Sequence, residues 1–453
     1  MTRLICSKNE QEQDWSADYR FYSEREWNVD PLFCEILKAG DAHAHWPQKD
    51  VLVALDDTAR RKTGKKIPGV CTLRDPMSLP YHVNLIPGIR YLQGSLFVNP
   101  GNGFQYHRAI PILFEEAAPA KKPRKNASQE DQANYKEEQK KKRISVQGHQ
   151  AVLKLRKQVD QLPEGRERRL ITSVDGSFCN KSFLRALPDK VVPIARARKD
   201  MKLFKPADDS MRANRVYGER LPPPQEIRQD DAYLWQEATV FFAGANRQIR
   251  YKTMAPVLWP CLGDQPYRLI IIAPLGYRLH KGSKKLYREP VYLMTTDVET
   301  PVEQLLQYYF LRWDIEVNHR DEKSLLGVGD AQVRAPLSVE RNPQFAAATY
   351  SLLLLASIRA YGAARTDDYL PLPKWRNEMD RRPSTLDILA QFRREVMVAQ
   401  LHRDLERDHH PDTASEKLQP AAESTGFVIT TPASASMVDL PVNIIAALLY
   451  ADA

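Results

Sequence analysis

Short apolar runs bounded by polar punctuation recur along this chain, and they commit it to building a sheet. Residues 51–55 (VLVAL), 170–174 (LITSV), 191–198 (VVPIARAR) and 291–295 (VYLMT) read as buried strands. Residues 82–98 and 105–115 read as two more, separated by the turn-forming series Asn99, Pro100, Gly101, Asn102 and Gly103. With 51–55 they predict three consecutive antiparallel strands, a meander. Elsewhere the period lengthens. Val152, Leu155 and Val159 recur at helical intervals within 147–161, 181–187 predicts a short helix and 336–363 a long one. The fold class is therefore α/β.

The most apolar stretch, 345–358, is too short to span a bilayer and is interrupted by Thr349, Tyr350 and Ser351, so it reads as a buried helix and no membrane partner is expected. Residues 121–143 are charge-rich and predict a loop or the exposed start of a helix. After Pro222, Pro223 and Pro224, the short runs 238–242 and 269–273 predict a β-rich insertion over 205–290. Residues 1–48 are polar and suggest no role. The chain turns polar and Pro-rich from about 365, with 409–436 expected to be mobile. A length of 453 residues suits two or three domains, and these shifts in composition divide it at 1–48, 49–204, 205–290, 291–364 and 365–453.

A net charge of +9 favours a polyanionic partner. Cys6, Cys34, Cys71, Cys179 and Cys261 are scattered with no CxxC pair, which argues against a zinc ribbon or a disulfide scaffold and fits a reducing cytosol. The first residues lack the apolar run of a signal peptide, so a cytoplasmic protein is expected.

Residues 309–323 (YFLRWDIEVNHRDEK) carry the chemistry. Tyr309, Arg312, Glu316 and Lys323 stand at offsets of 3, 4 and 7, which put them on one stripe of an α-helix. An acid, two cations and a phenol on one stripe suit a site for metal and phosphate. Two apolar strands each end in an aspartate, Asp56 and Asp175. Three carboxylates gathered by a fold hold divalent metal through oxygen, most naturally Mg²⁺, and a metal pair drives phosphodiester chemistry. Arg312 and Lys323 would meet phosphate, and Tyr309 would stack on a base or bond a phosphate.

The pattern Tyr-x2-Arg-x3-Glu-x6-Lys resembles the signature of the DDE transposases of bacterial insertion sequences, in the insertion-sequence-four group, and is matched at every defined position. DDTARRKTGKKIPGV resembles the segment around that group's first catalytic Asp. VDGSFCNKSFLRALP, followed by IARARKDMKLF, resembles the segment around the second. The resemblance spans about 50–360, with the blocks in order. It implies a ribonuclease-H-like mixed sheet with flanking helices, interrupted by the β-rich insertion between the second Asp and the Glu. It implies Mg²⁺-dependent cutting at transposon ends, with Mn²⁺ able to substitute, and joining of 3′-hydroxyls to target DNA. Asp56, Asp175 and Glu316 would be metal ligands. Tyr309, Arg312 and Lys323 would contact double-stranded DNA near the cut, on a dimer or larger homo-oligomer. A base flipped at a hairpin step would need an aromatic surface, from Trp313 or Tyr292.

Some residues carry competing readings. The first acid is doubled, and the D-x-T spacing favours Asp56 over Asp57. Asp297 reads as a helix cap, with Thr296, more than a ligand. Arg196, Arg198 and Lys199 lie beside the second-Asp segment and suit phosphate contact. Arg60, Arg61, Lys62, Lys65 and Lys66 follow the first Asp and read equally as DNA-channel or ordinary surface cations, and the run 140–143 reads as a solvated face. His319 reads as a helper or packed residue, and Cys179 as small and buried. Arg312 and Glu316 alone would be an ordinary surface ion pair, and an Asp ending a strand is usually a turn residue. It is the coincidence of the stripe with two upstream aspartates that favours a site. No convincing helix-turn-helix precedes residue 50. Two other functions share these residues: a catalytically inactive, domesticated DNA-binding protein, and a metal-dependent nuclease without strand transfer.

Overall fold

The computed structural model describes residues 12, 14, 16–24, 27–64, 66–75, 82–99, 101, 103–207, 215–280, 282–372 and 381–407, with side chains to 398 in the last helix. Two helices, α1 (Ser16–Ser23) and α2 (Asp30–Asp41), lead into β1 (Val51–Arg61), β2 (Cys71–Arg74), β3 (Leu85–Val98) and β4 (Arg108–Glu116). β3 runs antiparallel to β1 on one side and to β2 and β4 on the other. The expected meander is present, with β2 as an addition. Helices α3 (Gln129–Lys141) and α4 (Ile144–Val159) then cross to β5 (Leu170–Val174), and α5 (Lys181–Leu184) to β6 (Val191–Arg196). β5 lies parallel to β1, and β6 parallel to β5. These five strands stand in the order β4, β3, β1, β5, β6.

The β-rich stretch comprises β7 (Phe204–Pro206), β8 (Tyr217–Arg220), helix α6 (Pro224–Gln229), β9 (Gln236–Phe242), β10 (Ala245–Leu258), β11 (Pro266–Ile272) and a hairpin of β12 (Gly276–Tyr277) and β13 (Leu286–Tyr287). It does not stand apart. β14 (Val291–Thr295) pairs with β6 and β11, and β11 with β10, so most of these strands prolong one twelve-stranded mixed sheet. α7 (Val302–Leu311), α8 (Trp313–Ser324), α9 (Pro336–Tyr361) and α10 (Thr385–Arg407) complete the chain as described.

Alternation along the strands divides the core. Val51, Val53 and Leu55 of β1 join α2, α4 and α9 on one face, whereas Leu52 and Ala54 join α7 and α8 on the other. The polar N-terminal segment is integrated here: Phe33, Ile36 and Leu37 of α2 are buried in the first core. Phe21 and Trp27 cluster on Phe345 of α9.

Two expectations need correction. Asp56 does not end its strand. β1 continues to Arg61 because β3 goes on pairing with it after β5 has stopped at Val174. The residues of 309–323 do not lie on one helix, since α7 ends and α8 begins at Arg312. The C-terminal polar region contains α10, whose start is capped by Ser384 and Asp387 through reciprocal hydrogen bonds, a signature legible as S-x-x-D. The segment 121–143 resolves into helix α3 behind a Ser128–Asp131 capping box, with no buried residue. The stretch 409–436 lies outside the described residues.

Candidate active site

Pairing register aligns the first two acids. Leu55 is opposite Val174, and Val174 opposite Ala195. One residue on, Asp56, Asp175 and Arg196 therefore form a row across β1, β5 and β6. Alternation turns the row toward α7 and α8: Asp56 continues the face of Leu52 and Ala54, and Arg196 that of Val192 and Ile194. Asp57, one step along, is turned to the opposite face, where Arg90 is the cation that counters its charge.

Arg312, at the joint between α7 and α8, meets this row. The joint is a tightened turn in which the Arg312 N–H donates to the Tyr309 carbonyl (3.1 Å) and the Ile315 N–H to the Arg312 carbonyl (3.1 Å). Its guanidinium donates to Asp56 Oδ2 at 2.9 Å and to Glu316 Oε1 at 3.2 Å. Burial opposes its charge, and Asp56, Tyr309, Glu316 and Asp175 more than offset that, so its pKa is raised. The guanidinium thus joins two of the acids, Asp56 and Glu316, while Asp175 acts on it only through its charge. Burial pushes the Asp56 carboxyl up to about 7; Arg312 opposes the shift, and Asp175 and Asp57 add to it. Asp175 follows β5 directly and accepts from the Ser177 N–H (2.8 Å) and hydroxyl (3.3 Å), which fixes its turn. Tyr309 is buried beside Arg312 and Arg196, and burial raises its phenol pKa.

α8 is held on three sides so that Glu316 points at the row. Asn318 donates to Ser95 of β3 at 3.1 Å. Asp314 is gripped by His107 (3.1 Å) and Arg382 (2.6 Å). Glu322 is buried with Arg60 of β1 3.5 Å away. That distance is too long for a good hydrogen bond, so burial prevails over Arg60 and lifts the Glu322 carboxyl to about 8. Lys323 stands beside Arg60 and Glu322; burial and then Arg60 lower its pKa. His319 is buried, and burial followed by Lys323, Arg60 and Arg312 lowers its pKa to about 3, so its ring is neutral.

The remaining sequence candidates separate. Arg60 is buried beside Glu322, and Lys62 is buried and donates to the carbonyls of Gly329 and Ala331, so neither lines a channel. Arg61 and Lys66 are exposed, and Lys65 lies outside the described residues. Arg198 pairs with Asp200 at 2.8 Å, and Lys199 is exposed beside it. Lys142 of the 140–143 run pairs with Glu138 on the surface. Asp297 accepts from Glu299, Thr300 and Arg169, organising the turn before α7, whose N-cap is Pro301. Tyr292 is buried in the core and offers no stacking face, whereas Trp313 is 53% exposed. Burial pushes the Cys179 thiol up to about 12, consistent with an inert packed residue. Sequence reading missed the Asp314–His107–Arg382 cluster, because its members are brought together only by the fold.

Among the described residues, no three His, Cys, Asp or Glu side chains are grouped closely enough to hold one metal ion. Asp56 and Glu316 instead share the Arg312 guanidinium. The donor set suits a hard divalent cation, because it is all carboxylate and burial disfavours the Asp56 charge unless a cation faces it. No helix among the described residues is long and apolar enough to cross a membrane.

Residues 123–352 match the family described as the transposase DDE domain. No curated protein matches the chain.

Proposed function

This chain belongs to the transposase DDE domain family and is a DDE-type transposase, a polynucleotidyl transferase and endonuclease; we propose that it cuts DNA at transposon ends and joins the 3′-hydroxyls to target DNA. The observation carrying this reading is the one guanidinium shared by Asp56 and Glu316, with Asp175 in register one strand away. We assign Asp56, Asp175 and Glu316 as the metal-ligating acids, with Asp56 preferred to Asp57 because Asp57 is turned to the other face. Bound Mg²⁺, or Mn²⁺ in its place, would activate the attacking oxygen and neutralise the leaving one.

The chain's own groups do the positioning. Arg312 is the cation best placed to leave the acids for a phosphate, since it bonds both Asp56 and Glu316. Arg196 borders the row and Lys323 lies farther along α8. With Tyr309, Arg198 and Lys199 they form the assigned DNA-contacting set, holding the backbone without reading its sequence. Trp313 supplies the exposed ring for a base extruded near the cut. The strand order β4, β3, β1, β5, β6 supports a ribonuclease-H-like core, and the position of β7–β13 between Asp175 and Glu316 supports an insertion within it. Together with the Tyr309–Arg312–Glu316–Lys323 spacing, this favours the insertion-sequence-four group. We place the core at 49–204 and 291–364 and the insertion at 205–290, with 1–48 and 365–453 flanking them, and infer a dimer acting on nucleoid DNA.

The experiment is a nicking and joining assay on duplexes carrying the element's ends, with Mg²⁺ or Mn²⁺. Asp56→Ala, Asp175→Ala and Glu316→Ala are each expected to abolish cutting, while Asp57→Asn retains it. Cutting at the wild-type rate by Asp175→Ala or Glu316→Ala overturns the site assignment.

A further inference from the structure

We propose that the β12–β13 hairpin is a second DNA-gripping element, taking the duplex as it leaves the acid cluster. This rests on the reading of DNA as substrate and adds a surface that the signature residues do not include. Residues 276–288 read GYRLHKGSKKLYR, with Arg278, Lys281, Lys284, Lys285 and Arg288 and no acid. The hairpin is short, with Gly276 paired to Tyr287 and Tyr277 to Leu286. It stands off the main sheet rather than prolonging it.

Its tip is built. The Ser283 N–H donates to the His280 carbonyl at 3.1 Å, the Ser283 hydroxyl to the same carbonyl at 2.8 Å, and Arg278 to the Ser283 carbonyl. Gly282, at φ 88°, supplies the left-handed residue the turn needs. Among the described residues, Arg278, Lys284, Lys285 and Arg288 form no ion pair with a carboxylate, although Glu289 is adjacent. Aromatic and apolar side chains stand among these charges: Leu279 is 74% and Tyr287 63% exposed. Lys285 lies over Tyr287 (5.4 Å) and Arg288 over Tyr277 (5.5 Å). Cations interleaved with exposed rings suit a phosphate backbone and open base faces. A hairpin buried by folding would not leave its largest apolar groups in water.

Continuity with the active site fixes the occupant. The Arg288 guanidinium also lies 5.9 Å from the ring of Trp313, and Trp313 adjoins Arg312, which bonds Asp56 and Glu316. The same strand that reaches the acids would therefore run under the hairpin, which contributes affinity rather than sequence choice.

The test measures binding of the whole chain to a duplex of arbitrary sequence, by fluorescence anisotropy in chelator so that no cutting occurs, over a series of salt concentrations. The double variant Lys284→Gln/Lys285→Gln is expected to bind on the order of tenfold more weakly at low salt, with a log–log salt slope shallower by about two. Tyr287→Ala is expected to lose more affinity for a duplex with an unpaired end than for a fully paired one. Unchanged melting temperatures will show that both fold. A double variant with wild-type affinity and slope overturns the proposal. So does a loss of binding confined to phosphatidylserine vesicles, which would assign the patch to a membrane surface. If the wild-type chain itself fails to bind duplex DNA, the functional reading falls with it; if wild type binds and the variant binds equally, only the hairpin assignment falls.

Discussion

At the scale of single residues, Arg312 decides the electrostatics of the site. Its side chain and that of Asp56 are each 15% exposed, so their attraction is only partly screened. Without it, Asp56 and Glu316 would lose the cation they share, with the charge of Asp175 still acting on Asp56. Asp56 can escape by taking a proton, which limits the cost at low pH. We therefore expect Arg312→Gln to destabilise the metal-free protein by about 1–3 kcal/mol at pH 8 and by less at pH 6. Thermal denaturation in chelator and in Mn²⁺ is the measurement, and Mn²⁺ should raise the melting temperature more in the variant than in wild type. Equal metal responses would mean that Arg312 does not shield the acids. Glu322 gives a separate pH prediction. Its folded pKa of about 8 exceeds its ordinary 4.5, so between those values the folded state keeps a proton that the unfolded chain has released. Its contribution is whole below about pH 4.5 and is lost as pH rises through 8. Glu322→Gln copies the protonated form, so it should match wild type near pH 4.5 and exceed it by on the order of 3 kcal/mol at pH 8.5, read from urea unfolding at each pH. The sequence revealed the spacing of the four signature residues but not that Arg312 would bridge Asp56 and Glu316. Those groups are 256 and 4 residues from it, and only the long-range pairing makes the first contact.

At the scale of elements, apolar runs predicted strand positions well, because a buried strand must be apolar whatever surrounds it. β5 and β14 coincide with their runs. Prediction failed where pairing overrides composition. β1 runs six residues past its apolar stretch because β3 supplies partners for polar residues too, Asp56 and Asp57 among them. It failed likewise at Arg312, since the offsets 3, 4 and 7 fit a continuous helix and nothing local announces a joint. α10 was missed because few of its residues are apolar at a clear period, yet it closes over α9 and carries Thr385, which donates to buried Asp321 at 2.7 Å. The crossover from α4 to β5 holds the second acid through one close contact. A Cβ at Gly148 of α4 would lie 2.5 Å from Phe178 Cε1. Phe178 is completely buried, edge-on to Phe183, three residues after Asp175. Gly148→Ala should therefore displace Phe178 and the turn that presents Asp175. A loss of about 1–3 kcal/mol in urea unfolding is expected, together with a larger relative loss of nicking than an alanine on the exposed side of α4 would cause. Unchanged stability would mean that the ring has room to retreat.

At the scale of the whole molecule, the first and last acids lie 260 residues apart, and the assembly depends on what ties the segment carrying β1 to the one carrying α8. Arg169, just before β5, is one such tie. It donates to Asp50 at 2.9 and 2.7 Å ahead of β1, to Asp297 at 2.8 Å after β14, and to Thr300 at 3.2 Å before α7. The Asp50 side chain is 0% exposed and that of Asp297 3%. Burial pushes the Asp297 carboxyl up, but hydrogen bonds from Thr300 and Glu299 together with Arg169 leave it lowered. One guanidinium thus serves carboxylates from both halves of the chain. Nothing in the sequence marks Arg169 among the 66 lysines and arginines, since its worth lies in which two acids the fold delivers to it. Arg169→Met would leave two buried charges without their partner, and should cost about 3–5 kcal/mol. Asp50→Asn in the same chain should restore part of that loss, because it removes one of the stranded charges, while Asp50→Asn alone should be milder than Arg169→Met. Urea unfolding of the three variants provides the thermodynamic cycle, and an additive double variant would show that the two groups do not act as a unit. The loss in nicking should follow the fraction unfolded, since the acids themselves are untouched; a variant folded at 25 °C but inactive would mean that the clamp also sets the angle of α7, and with it the reach of Arg312 to Asp56.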